Sequence, residues 1–194
     1  MSNKGKRISS IIGGILVVVI IALLFYMDWM RGNSKEKAAT DKTMTEVEKL
    51  LDRDLKTNYP ETPREVAKYY SSITKALYSG LKDEEVEKLA KRILELYDEE
   101  FLQNNQEEQY LKDLYSDIAA WNKAGRRITN FLLVNEDKEE KAEIQGREYA
   151  TIYVSYFILE EEKASETRRF LMRKSEDKKW KILGWELVAG DEEK

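Results

Sequence analysis

The chain opens with an apolar run and then changes to regularly alternating apolar and polar positions. The twenty residues 8–27 contain no charged side chain. As a helix, at about 1.5 Å per residue, they span about 30 Å, the thickness of the hydrocarbon core of a bilayer. Because Trp29 suits the membrane interface, the pattern predicts a transmembrane anchor over residues 8–29.

Two other interpretations of this run stay open, a cleaved signal peptide and a buried core helix. A signal peptide ends in small residues, whereas this run ends in Phe25, Tyr26 and Met27. A core helix normally keeps a polar face, which this run lacks. An uncleaved anchor therefore fits the sequence better than either alternative.

Four stretches after the anchor repeat apolar residues at every third or fourth position and predict amphipathic helices. They cover residues 43–55, 62–79, 83–103 and 106–123. Thr43 and Glu46 have the spacing of a capping box at the start of the first helix. Thr62 and Glu65 have the same spacing at the second helix, and Asp83 is the predicted N-cap of the third.

After residue 125 the apolar period changes to two, which predicts strands. They cover residues 127–134, 148–159, 166–174 and 180–187, and residues 135–146 are predicted as an acidic connection. In the second strand both the even and the odd positions are largely apolar, so this strand is predicted to be covered on both faces. Gly184 predicts a bulge or a bend in the last strand. The expected class is α+β, with about four helices packed on a curved four-stranded antiparallel sheet.

These elements divide the chain into five segments. Residues 1–7 are a short basic tail, 8–29 the anchor, 30–42 a flexible stalk, 43–189 a soluble α+β domain and 190–194 an acidic tail. The bases Lys4, Lys6 and Arg7 precede the anchor, which favours a cytoplasmic N-terminus, although further bases after residue 30 weaken the asymmetry. We expect a single-pass protein of the cell membrane with an extracytoplasmic C-terminal domain.

Charge and residue types exclude several classes of function. Beyond residue 31 the chain is net acidic, which gives no electrostatic footprint for nucleic acid. The chain contains no Cys and no His, so the familiar zinc and iron–sulfur sites are excluded and the usual acid–base group at neutral pH is missing. We therefore expect no cofactor, no metal site and no catalytic residue.

Two parts of the sequence resemble known families. Helices followed by strands that close with WKIxGW over residues 180–185 resemble the nuclear-transport-factor-2-like cone. The pattern LLDRDL…NYPxTP over residues 50–63, after an apolar span, resembles an uncharacterised family of small membrane-anchored proteins from Gram-positive bacteria, a domain of unknown function. The first resemblance implies a curved antiparallel sheet around helices with a conical pocket. The second implies no activity.

A conical pocket favours a non-catalytic module that binds a small ligand or a peptide, or that assembles with other proteins. The candidate lining residues are Tyr153, Phe157, Phe131, Trp185, Tyr97 and Trp121. Aromatic residues at helical or strand spacing are also ordinary core residues, so each has this second interpretation. The expected partners are the lipid bilayer, through residues 8–29, and a second copy of the chain or another cell-envelope protein.

A cone-fold enzyme is the alternative. The resemblance includes ketosteroid isomerase, which uses a carboxylate base with a Tyr or a protonated acid in an apolar pocket. Asp98 beside Tyr97 is one candidate pair in this sequence. Asp113 and Asp117 near Tyr110 are another. No carboxylate lies inside an apolar strand, where a raised pKa would be expected, so we expect no enzyme activity.

Charged side chains suggest a third interpretation, an acidic surface that docks a basic partner. Such charge runs are also typical of solvated loops. Arg168, Arg169 and Arg173 lie on one predicted strand. We expect them to pair with acids on a neighbouring strand or to bind an anion.

Overall fold

The computed structural model describes residues 44–134, 139–160 and 163–188, in which helices come first and strands follow. The helices are α1 (Glu46–Asp52), α2 (Pro63–Leu77), α3 (Asp83–Leu94), α4 (Glu99–Asn104) and α5 (Glu107–Lys123). The strands are β1 (Arg127–Leu133), β2 (Glu140–Ile144), β3 (Arg147–Leu159), β4 (Lys163–Lys174) and β5 (Trp180–Val188). The predicted α+β class is confirmed, since the helices pack on an antiparallel sheet.

The predicted anchor lies outside the described residues, and so do the predicted basic tail, stalk and acidic C-terminal tail. Within the part of the chain that the structure describes, no helix is long and apolar enough to cross a membrane.

Local hydrogen bonds set the helix starts. The capping box predicted at Thr62 is confirmed, because its hydroxyl accepts the Glu65 N–H at 3.2 Å. The first cap is Thr45 rather than Thr43, with Glu48 as its partner. Two overlapping Thr-x-x-Glu spacings compete there, and the later one is formed.

The third predicted helix is interrupted after Leu94, so the described chain has five helices instead of about four. The Ile182 N–H donates to the Leu96 carbonyl at 2.9 Å, and the Asp98 N–H donates to the Ile182 carbonyl at 2.8 Å. This short parallel bridge takes the backbone groups that a continuous helix would need. Asp98 then caps α4 by accepting the Glu100 N–H.

The sheet has five strands, one more than predicted. Its order is β1-β3-β4-β5, and β2 pairs with the first half of β3. Residues 140–144 form β2 although every side chain in it is exposed, so the sequence shows no apolar alternation there. Gln145 and Gly146 both have positive φ, 54° and 73°, which is the two-residue hairpin geometry that joins β2 to β3.

The two faces of the sheet differ in burial. The inner face carries the buried β3 residues Ala150, Ile152, Val154, Tyr156 and Ile158, as predicted, and helix α2 crosses it. The outer face carries the odd-numbered β3 residues from Tyr149 to Phe157, which are half-buried or exposed. The prediction that β3 is covered on both faces is therefore wrong within the described residues.

Bulges shift the alternation in both outer regions of the sheet. In β1 the register shifts between Ile128 and Asn130, so Leu132 points outward with 61% exposure while Phe131 and Leu133 share the inner face with Ile128. The regular period of two predicted over residues 127–134 is therefore wrong at this bulge. In β5 the predicted bulge at Gly184 is confirmed, because the register with β4 shifts beside it.

Candidate functional site: a cavity lined by tyrosines

A cavity of about 730 Å³ lies between the sheet and the helices α2, α4 and α5. We call it the tyrosine cavity, and its aromatic lining consists of Tyr70, Tyr78, Tyr97, Phe101, Tyr110 and Trp185. The amide side chains from Asn104 to Gln109 lie at the side where α4 meets α5. Its volume lies in the range of small-molecule sites, and its wall combines aromatic rings with polar and charged side chains.

Three tyrosine hydroxyl groups meet in the wall. The Tyr97 hydroxyl lies 2.9 Å from the Tyr70 hydroxyl and 3.4 Å from the Tyr110 hydroxyl. Tyr97 comes from the bridge to β5, Tyr70 from α2 and Tyr110 from α5, so three separate elements meet here. Burial raises the pKa of Tyr97 and Tyr110 well above the usual value for tyrosine. Both hydroxyls are therefore neutral at physiological pH and can donate a hydrogen bond.

Arg168 is the charged part of the wall. It lies on the inner face of β4, and its guanidinium carbon is 4.7 Å from the ring centroid of Tyr156 and 4.2 Å from that of Trp185. Its Nε donates to Glu166 Oε1 at 2.7 Å. Burial lowers the pKa of Arg168, but the Glu166 charge and the neighbouring tyrosines raise it more, so the side chain stays a cation.

Two exposed carboxylates of α5 also line the cavity. Asp117 accepts a short hydrogen bond from the Tyr78 hydroxyl, and Asp113 accepts one from the Gln109 amide at 2.8 Å. Burial, followed by the bond to Asp117, raises the pKa of Tyr78 far above its ordinary value. Tyr78 is therefore a fixed donor to Asp117.

Asp98 has a structural role outside this cavity. Its carboxylate is buried and forms an ion pair with Arg173, which also contacts Glu100 at 2.9 Å. The candidate pair of Asp98 and Tyr97 is not formed in the structure, because the Tyr97 hydroxyl contacts Tyr70 and Tyr110 instead. Among the described residues, no group of three or more acidic side chains is arranged to hold a metal ion.

The family model described as "Domain of unknown function (DUF6715)" matches residues 1–185. The chain belongs to this family. The predicted membership of a domain family without an assigned function is thus confirmed.

The other comparisons add little to this membership. No curated protein matches this family member in sequence. The crystal structure of CagV, a VirB8 homolog of the T4SS from Helicobacter pylori strain 26695, resembles it with a TM-score of 0.41 at 9% identity. The likeness covers 65% of this chain and 98% of that chain, and at this TM-score it carries no argument about function.

Of the six aromatic residues predicted to line a pocket, this family member brings two into the cavity. Tyr97 and Trp185 line it. Phe131 lies on the inner face near Tyr156, and Trp121 packs against Tyr78 with ring centroids 4.6 Å apart, but neither is part of the lining.

The remaining two residues, Tyr153 and Phe157, lie on the outer face of β3 and do not face the cavity. The structure does not bring them together with Tyr97, because the even positions of β3 face the helices and the odd positions point to the opposite face.

Tyr70 and Arg168 line the cavity although the sequence pattern does not single them out as pocket residues. Tyr70 lies in the apolar stripe of the helix predicted over residues 62–79 and is buried, yet its hydroxyl takes part in the tyrosine contact. Arg168 was expected to pair across strands, but it pairs with Glu166 of its own strand, while Arg169 does pair across with Glu186. The signal for Arg168 was its alternation with buried Phe170 and Met172.

Proposed function

We propose that this chain is a non-catalytic binding module whose tyrosine cavity holds a small ligand. The observation that supports the proposal is the cavity itself, of about 730 Å³, whose wall combines six aromatic rings with hydrogen-bonding and charged side chains. Its carboxylates, Asp113 and Asp117, lie on the exposed side, whereas a cone-fold enzyme would need a carboxylate in the apolar part. This position favours binding over catalysis.

We also propose that the fold is the nuclear-transport-factor-2-like cone. The order β1-β3-β4-β5, the bulges in β1 and β5 and the cavity between the inner face and the helices support this assignment. Bulges bend strands, so they help a sheet to curve around a cavity.

The binding function is tested by ligand-observed NMR with a set of small aromatic compounds and the full chain in lipid nanodiscs. Binding should be lost in Trp185→Ala, which removes an exposed ring of the lining. It should persist in Phe157→Ala, the matched change on the outer face. A compound set without any binder, or equal losses in both variants, would contradict the proposal.

Self-association is a second candidate function, favoured by the outer face. This face exposes six large apolar side chains: Leu132, Ile144, Phe157, Leu159, Leu171 and Val188. With strands about 4.8 Å apart, it offers roughly 700 Å² per copy. Each partner of a standard interface buries about 800 Å².

Mass photometry tests self-association. Phe157→Glu should shift oligomers to monomers, whereas Met44→Glu, at an exposed site before α1, should not. If the unchanged chain is found only as monomers, this candidate function is wrong.

We place the domain outside the cell membrane, tethered by residues 8–29 with the N-terminus in the cytoplasm. The chain has no cysteine, so single cysteines can report topology without interference. A membrane-impermeant maleimide added to intact cells should label Glu176→Cys, in the exposed β4–β5 turn, and not Ser2→Cys. The reverse labelling would place the domain in the cytoplasm.

A further inference from the structure

The charged groups that line the tyrosine cavity are unbalanced. Its lining contains two carboxylates, Asp113 and Asp117, and one guanidinium, that of Arg168. Arg168 is already neutralised by Glu166, through both Nε and Nη2. Neither aspartate forms an ion pair with any residue in the described parts of the chain. A ligand in the cavity therefore meets an excess of negative charge.

Each aspartate also has an oxygen left for a ligand. Asp113 uses Oδ1 to accept from Gln109, and Asp117 uses Oδ2 to accept from Tyr78. Their other oxygens accept no hydrogen bond within residues 44–134, 139–160 and 163–188. The two residues are one helical turn apart on the same face of α5, where like charges repel. A cation between them would relieve this repulsion.

The rest of the wall suits the body of an organic cation. The rings of Tyr78, Tyr110 and Trp185 belong to the same lining, and its one cationic side chain, Arg168, is paired with Glu166. Aromatic faces attract cations that have lost part of their water shell, and ammonium compounds are bound in this way. An anion would instead approach Asp113 and Asp117 against their charge.

We infer that the tyrosine cavity selects a small organic cation, with an amine or quaternary ammonium group at Asp113 and Asp117 and an apolar body against Tyr110 and Trp185. This inference rests on the proposed function, since it names the ligand class of the same cavity.

Three probes of the same shape separate charge from size: phenethylamine, 2-phenylethanol and 3-phenylpropionate. Each is titrated to about 10 mM, a range suited to weak fragments, against the full chain in nanodiscs, with empty nanodiscs as the blank. Phenethylamine should bind at least about five-fold more tightly than the alcohol, the factor that corresponds to about 1 kcal/mol for one exposed charge pair. The carboxylate should bind most weakly.

Variants that remove one charge test whether Asp113 and Asp117 cause the preference for the amine over the alcohol. Asp113→Asn and Asp117→Asn should each weaken phenethylamine by about five-fold and leave 2-phenylethanol unchanged. Glu108→Gln is the matched control, because it removes one charge from the same helix but faces the groove between α3 and α5. It should change neither probe.

The outcomes distinguish the two levels of the proposal. If the amine and the alcohol bind equally, or if Glu108→Gln weakens the amine as much as Asp113→Asn does, cation selection is wrong while binding in the cavity stands. If none of the three probes binds and the wider compound set gives no binder either, the proposed function itself is wrong.

Discussion

Helices α2 and α5 are similar in length but contact the rest of the molecule very differently. Ten of the fifteen residues of α2 are buried, against two of the seventeen in α5, Ile118 and Trp121. Helix α2 crosses the inner face of the sheet, whereas α5 has the tyrosine cavity on one side and a groove of about 790 Å³ beside α3 on the other. Stability is therefore concentrated along α2, and surface accessible to a ligand lies along α5.

The strongest test of this contrast removes matched apolar side chains. Ile73→Ala, at a fully buried site of α2, should lower the free energy of unfolding by about 3 to 4 kcal/mol, because it leaves a cavity in a packed core. Leu114→Ala, at a half-buried site of α5, should lower it by only about 1 kcal/mol, since less apolar surface is uncovered. Urea denaturation measures both, and equal losses would contradict the contrast.

The next largest effect on stability should come from the ion pair that attaches α4 to the sheet. Arg173→Met leaves the buried Asp98 carboxylate without its cation and should destabilise the fold by about 3 kcal/mol. Arg169→Met, on the same strand as Arg173, breaks an exposed pair with Glu186 of β5 and should have a much smaller effect. Thermal unfolding compares the two, and a small effect of Arg173→Met would show that the ion pair does not hold α4 to the sheet.

The tyrosine contact that joins α2 and α5 should make the free energy of unfolding depend on pH. Tyr97→Phe removes the hydrogen bond to Tyr70 and should lower stability by about 1 kcal/mol at pH 7. Burial raises the pKa of Tyr97, so its contribution is complete below about pH 10, where unfolded tyrosine is neutral, and is lost as pH rises towards the folded pKa. Above pH 10 the unchanged protein should therefore lose stability more steeply than the variant, by about 1.4 kcal/mol per pH unit.

Denaturation at pH 7 and at pH 10.5 to 11 measures the two slopes. Parallel loss of stability in both proteins would mean that the Tyr97 hydroxyl does not stay buried and neutral.

The smallest expected effect lies on α5 itself. Asp113→Asn removes the repulsion with Asp117 one turn away and should raise stability by about 0.3 kcal/mol. The gain should shrink in high salt, which screens exposed charges. Urea denaturation in low and high salt checks both statements; a loss of stability instead would show that the bond from Gln109 outweighs the repulsion.

The sequence allowed the helices and the long strands to be predicted because their apolar periods are clear. Helix α2, with its cap at Thr62, and β3, with its buried even positions, follow from local pattern alone. The break before Asp98 does not, since it depends on backbone pairing with Ile182, far away in the chain. Strand β2 was missed because its residues are exposed on both faces and show no alternation.

The candidate site was harder to predict than the fold. Tyr97 and Trp185 are predicted as lining residues and do line the cavity. Both faces of β3 are largely apolar in sequence, so the sequence does not show which face Tyr153 and Phe157 occupy. Counting positions along β3 would have separated them from the inner face. Which hydroxyls meet in the wall depends on how α2, α5 and the bridge to β5 pack together, and no local pattern encodes that arrangement.

The bridge between residues 96–98 and Ile182 also matters for how the protein meets other strands. An unpaired strand edge is a template for strand addition and aggregation, and here the middle of β5 is already occupied by the chain itself. On the other side, β2 carries Glu140, Lys141 and Glu143, charges that discourage a further strand. The bridge therefore covers the middle of β5, and the charges discourage pairing along β2, which shares the opposite edge of the sheet with β1. These two parts of the edge should resist the addition of a further strand.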